Sequence, residues 1–375
     1  MSRHKSDIWH KLTMKKFRVG ILGATGMVGQ NYIRLLENHP WFDVVYLAAS
    51  VNSAGMKYAD AVKGRWQMIT PIPNNILKIK VEDVYNIDKA KANCDFVFSA
   101  FEISDKKSVK ETEERYAEAG IPVVSNASAN RWTLDVPMVV PEINADHLDI
   151  IPIQRKNHGW KKGFIVVKPN CSLQSYLTPI YALNKAGYHV KKVLISTLQA
   201  VSGAGYPGVP SLDMIDNIIP FIGGEEEKTE NEPLKILGSI KNKKFANYTD
   251  LQISAQCTRV PVTDGHMACV NILFKNKKPS KEKIIEIWKN FKSVPQDLKL
   301  PFAPIHPIIY TDEENRPQPK KDRNNDKAMA VTVGRLRDCN IFDYKFVALS
   351  HNTVRGAAGG GILNAELLVK KGYIK

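Results

Sequence analysis

Phe17-Arg18-Val19-Gly20-Ile21-Leu22-Gly23-Ala24-Thr25-Gly26-Met27-Val28-Gly29 is the stretch that decides the fold. Its first six residues have the character of a strand. Tyr32, Ile33, Leu35 and Leu36 then recur at helical spacing. Between them lies a glycine turn of the form G-x-x-G-x-x-G, a variant of the commoner G-x-G-x-x-G. A glycine turn leading from strand to helix lets the backbone approach a pyrophosphate, and the helix N-terminus then holds it. The context predicts dinucleotide binding; the alternative is a glycine turn kept for packing.

Working outward, a second strand is expected over Val44-Val45-Tyr46-Leu47-Ala48-Ala49-Ser50. NAD-preferring folds place an acid at the end of this strand, to hold the ribose 2′-hydroxyl. Here Ser50-Val51-Asn52-Ser53-Ala54-Gly55 has none, and Lys57 follows, which favours NADP. Further strands are predicted at Phe96 to Ala100 and Pro122 to Asn126, with a helix carrying Val109, Thr112, Tyr116 and Ala119 between them and ending at Gly120. This alternation argues an α/β fold with a Rossmann-like, doubly wound parallel sheet. Asn126 to Arg131 is then a polar loop at the ligand-binding end of a strand. Arg131 is a candidate anion clamp, or else an ordinary surface arginine.

Lys168-Pro169-Asn170-Cys171-Ser172 follows another compact apolar run, Phe164 to Val167. It precedes Leu173, Tyr176, Leu177, Ile180 and Tyr181 at helical spacing, up to Gly187. Cys171 is therefore expected at or near a helix N-terminus, where unpaired N–H groups and the helix dipole lower a thiol's pKa and supply oxyanion donors. A buried structural cysteine is the plainer alternative.

After Cys171 the character changes. Runs at Val193 to Leu198, Leu251 to Ser254, Cys269 to Phe274, Ala328 to Gly334 and Phe346 to Leu349 predict strands, several alternating in polarity as in an antiparallel sheet with one covered face. Lys275 to Lys292 is the densest basic stretch. Its apolar face is Ile284, Trp288 and Phe291, and Ser280 is its cap. Tyr310 to Lys327 is expected to be an exposed excursion. The tail Arg355 to Lys375 reads as a glycine-softened helix, in which Gly356, Gly359, Gly360 and Gly361 serve either close approach to the cofactor or close helix packing. The expected organisation is a basic, disordered extension over 1–15, a cofactor-binding domain over 16–169 to which 350–375 returns, and an α+β catalytic and dimerisation domain over 170–349.

The chain of 375 residues is long enough for two domains with a sizeable core. Its five cysteines include no C-x-x-C pair, so neither a zinc cluster nor a disulfide framework is suggested, and no metal is expected. Reduced thiols point to the cytoplasm. The first 15 residues lack the apolar core of a secretory signal, and Met14 is an alternative start. No apolar run approaches the roughly 20 residues of a membrane span. The formal net charge of +15 fits an anionic substrate better than nucleic acid, since no nucleic-acid-binding motif accompanies it.

Together, Gly23 to Gly29, Ser125 to Arg131, Pro169 to Ser172, Gln199 to Gly205, Gly224 to Lys228, Arg259 to His266 and Asn352 to Gly356 resemble the aspartate-semialdehyde dehydrogenases of the archaeal and fungal type, along nearly the whole chain from Lys16. The resemblance implies NADP-linked, reversible reduction of aspartyl β-phosphate to aspartate β-semialdehyde. A thiolate displaces phosphate, and the resulting thioester is reduced. It implies Cys171 as nucleophile, His266 as general acid/base and Gln199 as the positioning amide. It also implies that Arg259 binds the α-carboxylate, Glu225 the ammonium, and Lys228, Arg131 and Asn170 the phosphate. Cofactor contacts are implied at Gly23, Thr25, Gly26, Met27, Val28, Ser50, Ser53, Ser99, Ala100, Ser202, Gly203 and Asn352. On a helix, Glu225 and Lys228 would share a face.

Relatives often carry an arginine after the second strand, where this chain has Asn52-Ser53. A homodimer or homotetramer is implied. The rival within the superfamily is a malonyl-CoA or succinyl-CoA reductase, which the tail and Gln296 to Pro301 resemble. Asn170 and the Glu225 to Lys228 run speak against it, because a dicarboxylic CoA thioester has no amine to meet Glu225. N-acetyl-glutamyl-phosphate reductase, with a capped amine, is more distant. A non-catalytic NADP-binding regulator would lack a nucleophile or base, and both are present here.

Overall fold

A computed structural model describes residues 16–375; the expected extension over 1–15, and the choice between Met1 and Met14, lie outside the described residues. The first sheet contains β1 (Phe17–Leu22), β2 (Phe42–Ala49), β3 (Val81–Asp83), β4 (Phe96–Ser99), β5 (Val123–Ser125) and β6 (Ile165–Val167). All pairs are parallel, in the order β3-β2-β1-β4-β5-β6. Strands β4, β5 and β6 are buried throughout, as expected of a sheet covered on both faces. The order reverses between β1 and β4. That opens a crevice at their C-terminal ends, where Gly23 follows one strand and Ser99 closes the other.

Helix α1 (Met27–Leu35) leaves the glycine turn with Tyr32 and Ile33 in the core. Helix α2 (Lys106–Glu118) starts at Asp105, whose carboxylate accepts from the amides of Lys107 (3.0 Å) and Ser108 (3.3 Å). The left-handed Gly120 follows it.

Past Cys171 the chain makes a short 3-10 turn, Ser172–Ser175, and then α3 (Leu177–Lys185). The second domain is built on β7 (Val190–Gln199), a hairpin of β8 (Ser239–Lys241) and β9 (Lys244–Ala246), β10 (Gln252–Arg259), β11 (His266–Phe274), β12 (Ile308–Thr311), β13 (Val331–Asp338) and β14 (Tyr344–Ser350). Its main sheet runs β10-β7-β11-β14-β13-β12. The expected antiparallel sheet is corrected here to a mixed one. The three central pairings are antiparallel, but β10 joins β7 and β12 joins β13 in parallel. Helices α4 (Glu225–Ile236) and α5 (Lys281–Asn290) lie between these strands in sequence. Ser280 caps α5, and Ile284 and Trp288 are buried beneath it. The alternation in β7 is real: Val193, Ile195, Thr197 and Gln199 point into the core, while Leu194 and Ser196 stand open.

The excursion from Tyr310 to Lys327 is also corrected. It begins in β12, and Pro317 and Asp322 are buried. Arg316 pairs with Asp322, and Arg323 donates to the Asp264 carbonyl (3.1 Å), which ties the segment to the turn before β11.

The chain then returns to the first domain. Val354–Ala358 forms a π turn and α6 (Gly359–Lys370) follows. Its glycines serve packing: a Cβ on Gly361 would stand 1.8 Å from Tyr32 Oη on α1, and one on Gly356 would stand 2.8 Å from Cys171 Cβ. Arg355 pins the seam between the domains. Its guanidinium donates to Glu142 (2.8 Å), to the Met329 carbonyl (2.7 Å) and to Thr178 Oγ1 on α3 (3.1 Å). Both charges of this pair are out of solvent, so removing one strands the other. Among the described residues no helix is long and apolar enough to cross a membrane. Arg355→Leu is expected to destabilise the fold by about 3–5 kcal/mol, read as a lowered midpoint in urea unfolding; an unchanged midpoint would show that the seam does not depend on this pair.

Candidate active site

Two clusters of predicted residues lie at the C-terminal end of the parallel sheet, one after β1 and the other after β6. The first is the glycine turn. Gly23 has a φ of +76°, and a Cβ there would lie 2.4 Å from the Ala100 carbonyl oxygen. Gly26 is the N-cap of α1; no side chain caps that end, and its first turn holds no acid. The turn is braced from behind by two residues that sequence reasoning missed. Tyr58 Oη donates to the Ala24 carbonyl (2.9 Å), and Gln30 Nε2 donates to those of Thr25 (2.9 Å) and Arg65 (2.9 Å). Thr25, Gly26, Met27 and Val28 are left at the surface of the crevice, beside Ala100. These features fit the pyrophosphate of a dinucleotide: helix amides without a side-chain cap, no acid in the first turn, and a glycine where the backbone must come close. At the end of β2, Ser50 and Lys57 are exposed, while Ser53 is buried beneath a turn in which its amide donates to the Ser50 carbonyl (2.9 Å). Ser99 is buried at the end of β4.

The second cluster surrounds Cys171. Its Sγ lies 3.3 Å from His266 Nε2, across the boundary between the two sheets. Asn170 is gripped on both sides: its amide donates to Glu232 (2.6 Å), and its Nδ2 donates to both oxygens of Glu225 (2.9 and 3.1 Å). Glu225 also accepts from Lys228 Nζ (3.0 Å) and Gln199 Nε2 (3.3 Å), so Glu225 and Lys228 share a helix face as their spacing requires. Arg259 spends one donor on the Ala200 carbonyl (2.8 Å). No carboxylate pairs with it among the described residues, so the rest of its fork is available. Ser202 Oγ accepts from Asn352 Nδ2 (2.8 Å), whose Oδ1 accepts from the Gly265 amide (2.8 Å). Gly203 backs onto Arg259 and His266: a Cβ there would meet Arg259 Nη1 at 2.9 Å and His266 Cε1 at 3.2 Å.

Arg131 is not a surface arginine. It is buried and donates to Glu232 (2.9 Å) and to the carbonyls of Lys168 (3.2 Å) and Asn126 (3.3 Å). Its guanidinium is thus largely committed before any anion arrives. Glu232, wholly buried, receives both Arg131 and the Asn170 amide; it was missed because one acid in an acidic helix gives no sign of facing inward. Lys168 was missed for the same kind of reason. Only 3% exposed, it donates to the Pro169 carbonyl, and burial together with Arg131 brings its pKa down to about 7.

The expected lowering of the Cys171 pKa is corrected. Burial and the negative charge of Glu225 push it up to about 11, against the pull of Lys168, Arg131 and Arg259. The α-helix starts only at Leu177, and the intervening 3-10 turn is too short to set up a strong dipole at the sulfur. Burial, with Arg259, His351 and Lys168 close by, brings His266 down to about 3, so its imidazole is neutral at physiological pH. Glu225→Gln is expected to lower the thiol pKa and to raise the rate of Cys171 alkylation by iodoacetamide at neutral pH about three- to tenfold; an unchanged rate would mean that Glu225 does not govern the thiol.

Two family models match the chain. One is described as "Semialdehyde dehydrogenase, NAD binding domain", over residues 18–151, and the other as "Semialdehyde dehydrogenase, dimerisation domain", over residues 178–355. The chain is 46% identical to the aspartate-semialdehyde dehydrogenase of Schizosaccharomyces pombe over 361 residues, covering 95% of this chain and 99% of the relative. It is 44% identical to that of Archaeoglobus fulgidus, covering 96% and 100%. Among solved structures, that of Candida albicans aspartate semialdehyde dehydrogenase with NADP superposes with a TM-score of 0.87 at 38% identity, covering 96% of this chain and all (100%) of that one.

Proposed function

Because the chain belongs to the aspartate-semialdehyde dehydrogenase family, we propose that the cluster around Cys171 carries out the family's reaction, with each residue in the role that its position allows. The chain is an NADP-dependent oxidoreductase for the reversible reductive dephosphorylation of aspartyl β-phosphate to aspartate β-semialdehyde, in the biosynthesis of lysine, threonine and methionine. The observation that carries the site assignment is the 3.3 Å approach of Cys171 Sγ to His266 Nε2, with Glu225 and Arg259 near enough to act on the thiol.

The substrate's charges select these partners. Its ammonium displaces Lys228 from Glu225, and its α-carboxylate meets the open part of the Arg259 fork. The phosphate lies toward Lys228 and the remaining donors of Arg131, with Asn170 holding the edge of the pocket. So seated, the acyl carbon faces Cys171. The sulfur forms a thioester as phosphate leaves, which splits one difficult displacement into two easier ones. Gln199 keeps the substrate beside the sulfur. Bound NADPH supplies the hydride that reduces the thioester. Gly23, Thr25, Gly26, Met27 and Val28 would hold its pyrophosphate, Ser50 its 2′-phosphate side, and Ala100, Ser202, Gly203 and Asn352 its nicotinamide side, with the buried Ser53 and Ser99 supporting these loops from beneath.

Residues 16–169 with 350–375 form the cofactor-binding unit in this reading, and 170–349 the catalytic and dimerisation unit. The open face of β7, with Leu194 and Ser196, suits a second copy in a cytoplasmic homodimer or homotetramer. The deciding assay follows absorbance at the nicotinamide band. Aspartate semialdehyde should reduce NADP, in preference to NAD, only when phosphate or arsenate is present. Turnover with malonyl-CoA but none with the semialdehyde would move the chain to the acyl-CoA branch. Cys171→Ala should abolish turnover and leave NADP binding nearly intact; full activity in that variant would remove the thioester from the mechanism.

A further inference from the structure

Lys168 is a charged group that the reaction above leaves without a task. It stands just past β6, three residues before Cys171, and is nearly sealed from solvent. Its backbone is pinned on both sides: its amide donates to the Ser125 carbonyl (2.8 Å), and its carbonyl accepts from Arg131 Nε (3.2 Å). Its side chain folds back so that Nζ donates to the Pro169 carbonyl. We propose that Lys168 is the counter-charge of Cys171: its buried ammonium stabilises the sulfur anion each time the reaction forms one. The proposal rests on the reaction assigned above and adds to it a positioning residue that acts through the cysteine.

One wall backs the two side chains. A Cβ on Gly356 would stand 2.8 Å from Cys171 Cβ, and a Cβ on Gly360 would stand 3.5 Å from Lys168 Cε. The same closing segment therefore covers both the thiol and the lysine. Lys168 also lines a small cavity of about 10 Å³, together with Glu142, Gln174 and Arg355. That is room for about one water, enough to solvate an ammonium with donors to spare.

The carboxylates around Lys168 are already taken. Glu232 holds Arg131 and the Asn170 amide, Glu225 holds Asn170, Gln199 and Lys228, and Glu142 holds Arg355. Among the described residues none of them forms an ion pair with Lys168. Burial and Arg131 oppose the ammonium, whereas an ionised Cys171, then Glu232 and Glu225, favour it. In return Lys168 pulls the thiol toward its anion more strongly than Arg131 or Arg259 does. Each is thus the other's foremost opposite charge, and the sulfur's is the one that comes and goes during turnover.

That anion is needed twice. The thiol proton passes to His266, the S–C bond to the acyl carbon forms, and the C–O bond to phosphate breaks. The electron pair leaves on the phosphate oxygen, which takes up the proton that His266 received. After the carbonyl carbon has gained a hydride from the cofactor, the C=O bond re-forms and the C–S pair returns to sulfur. The proton that restores the thiol comes from solvent through His266, one per turnover. A positive charge held beside the sulfur favours both events. The same charge disfavours a proton resting on His266, and so sends it on to phosphate.

The test follows alkylation of Cys171 by iodoacetamide in the full-length protein. It is read by mass spectrometry on the Cys171 peptide, because Cys94, Cys257, Cys269 and Cys339 are also free thiols. Between about pH 6 and 9.5, thiolate formation alone raises the logarithm of the rate with a slope of one. Loss of the Lys168 proton within that range removes the counter-charge, so the wild-type slope should fall clearly below one near neutrality and recover above it. Lys168→Met keeps the stem without the charge. It should react about three- to tenfold more slowly than wild type at the acid end of the range and equally at the alkaline end. Lys168→Arg, which keeps its charge throughout, should hold a slope of one at or above the wild-type rate. A wild-type slope of one throughout would overturn the proposal. So would a loss in Lys168→Met that is the same at every pH, the mark of a residue that only holds the loop. Should Lys168→Met not fold, the wild-type slope decides alone. No substrate is used, so failure here and failure of the assigned reaction can be told apart.

Discussion

Two carboxylates on one face of α4 hold Asn170 in place. Glu225 and Glu232 lie seven residues apart, two helical turns or roughly 10 Å along the axis. One accepts from the Asn170 side chain and the other from its backbone amide. Asn170 lies just past the last strand of the parallel sheet, on the way to the mixed one. Its Oδ1 in turn accepts from Ser172 N (2.8 Å) and Ser172 Oγ (2.6 Å), which fixes the turn on either side of Cys171. The direction in which the sulfur points is therefore set by a helix from the second domain pressing on a loop from the first. Arg131 completes the clamp by pairing with Glu232.

Such an arrangement is electrically crowded. Arg131, Lys168, Arg259, Glu225 and Glu232 are buried together with Lys228 at their edge, and nearly every one already has a partner from the protein. A buried pair gains little net stability over an apolar one, but it punishes the loss of either member. In the reading proposed above, a ligand's ammonium would replace Lys228 on Glu225 and its carboxylate would fill the open part of the Arg259 fork, so a ligand lacking either charge would leave one of these groups unmatched.

Much of this was legible in the chain. The strand, glycine turn and helix from Phe17 to Leu36 follow their local pattern, and so does the capped, amphipathic α5. The apolar run that leads into Cys171 is short, buried and parallel, as its composition requires. Where the local reading failed, distant residues had overridden it. Cys171 follows a strand and precedes a helix, yet its thiol answers to burial and to Glu225, brought in from another helix. Glu232 and Lys168 are charged residues in charged or polar surroundings, and no spacing rule tells a solvated charge from one sealed inside by the tertiary fold. The parallel edges of the second sheet escaped notice because a half-covered strand alternates in polarity whichever way its neighbour runs. The segment from Tyr310 to Lys327 has the composition of a loop, but Asp322 turns inward to meet Arg316.

The wall behind Cys171 includes Gly356, and the helix that follows it is seated on Tyr32 through Gly361. Both belong to a stretch that follows Glu225, Arg259 and His266 in the chain. On the ribosome, then, the thiol stays unshielded on this side until the segment has emerged and folded back against the first helix. A chain that stalls before this segment is made would leave that sulfur open to solvent and to oxidants.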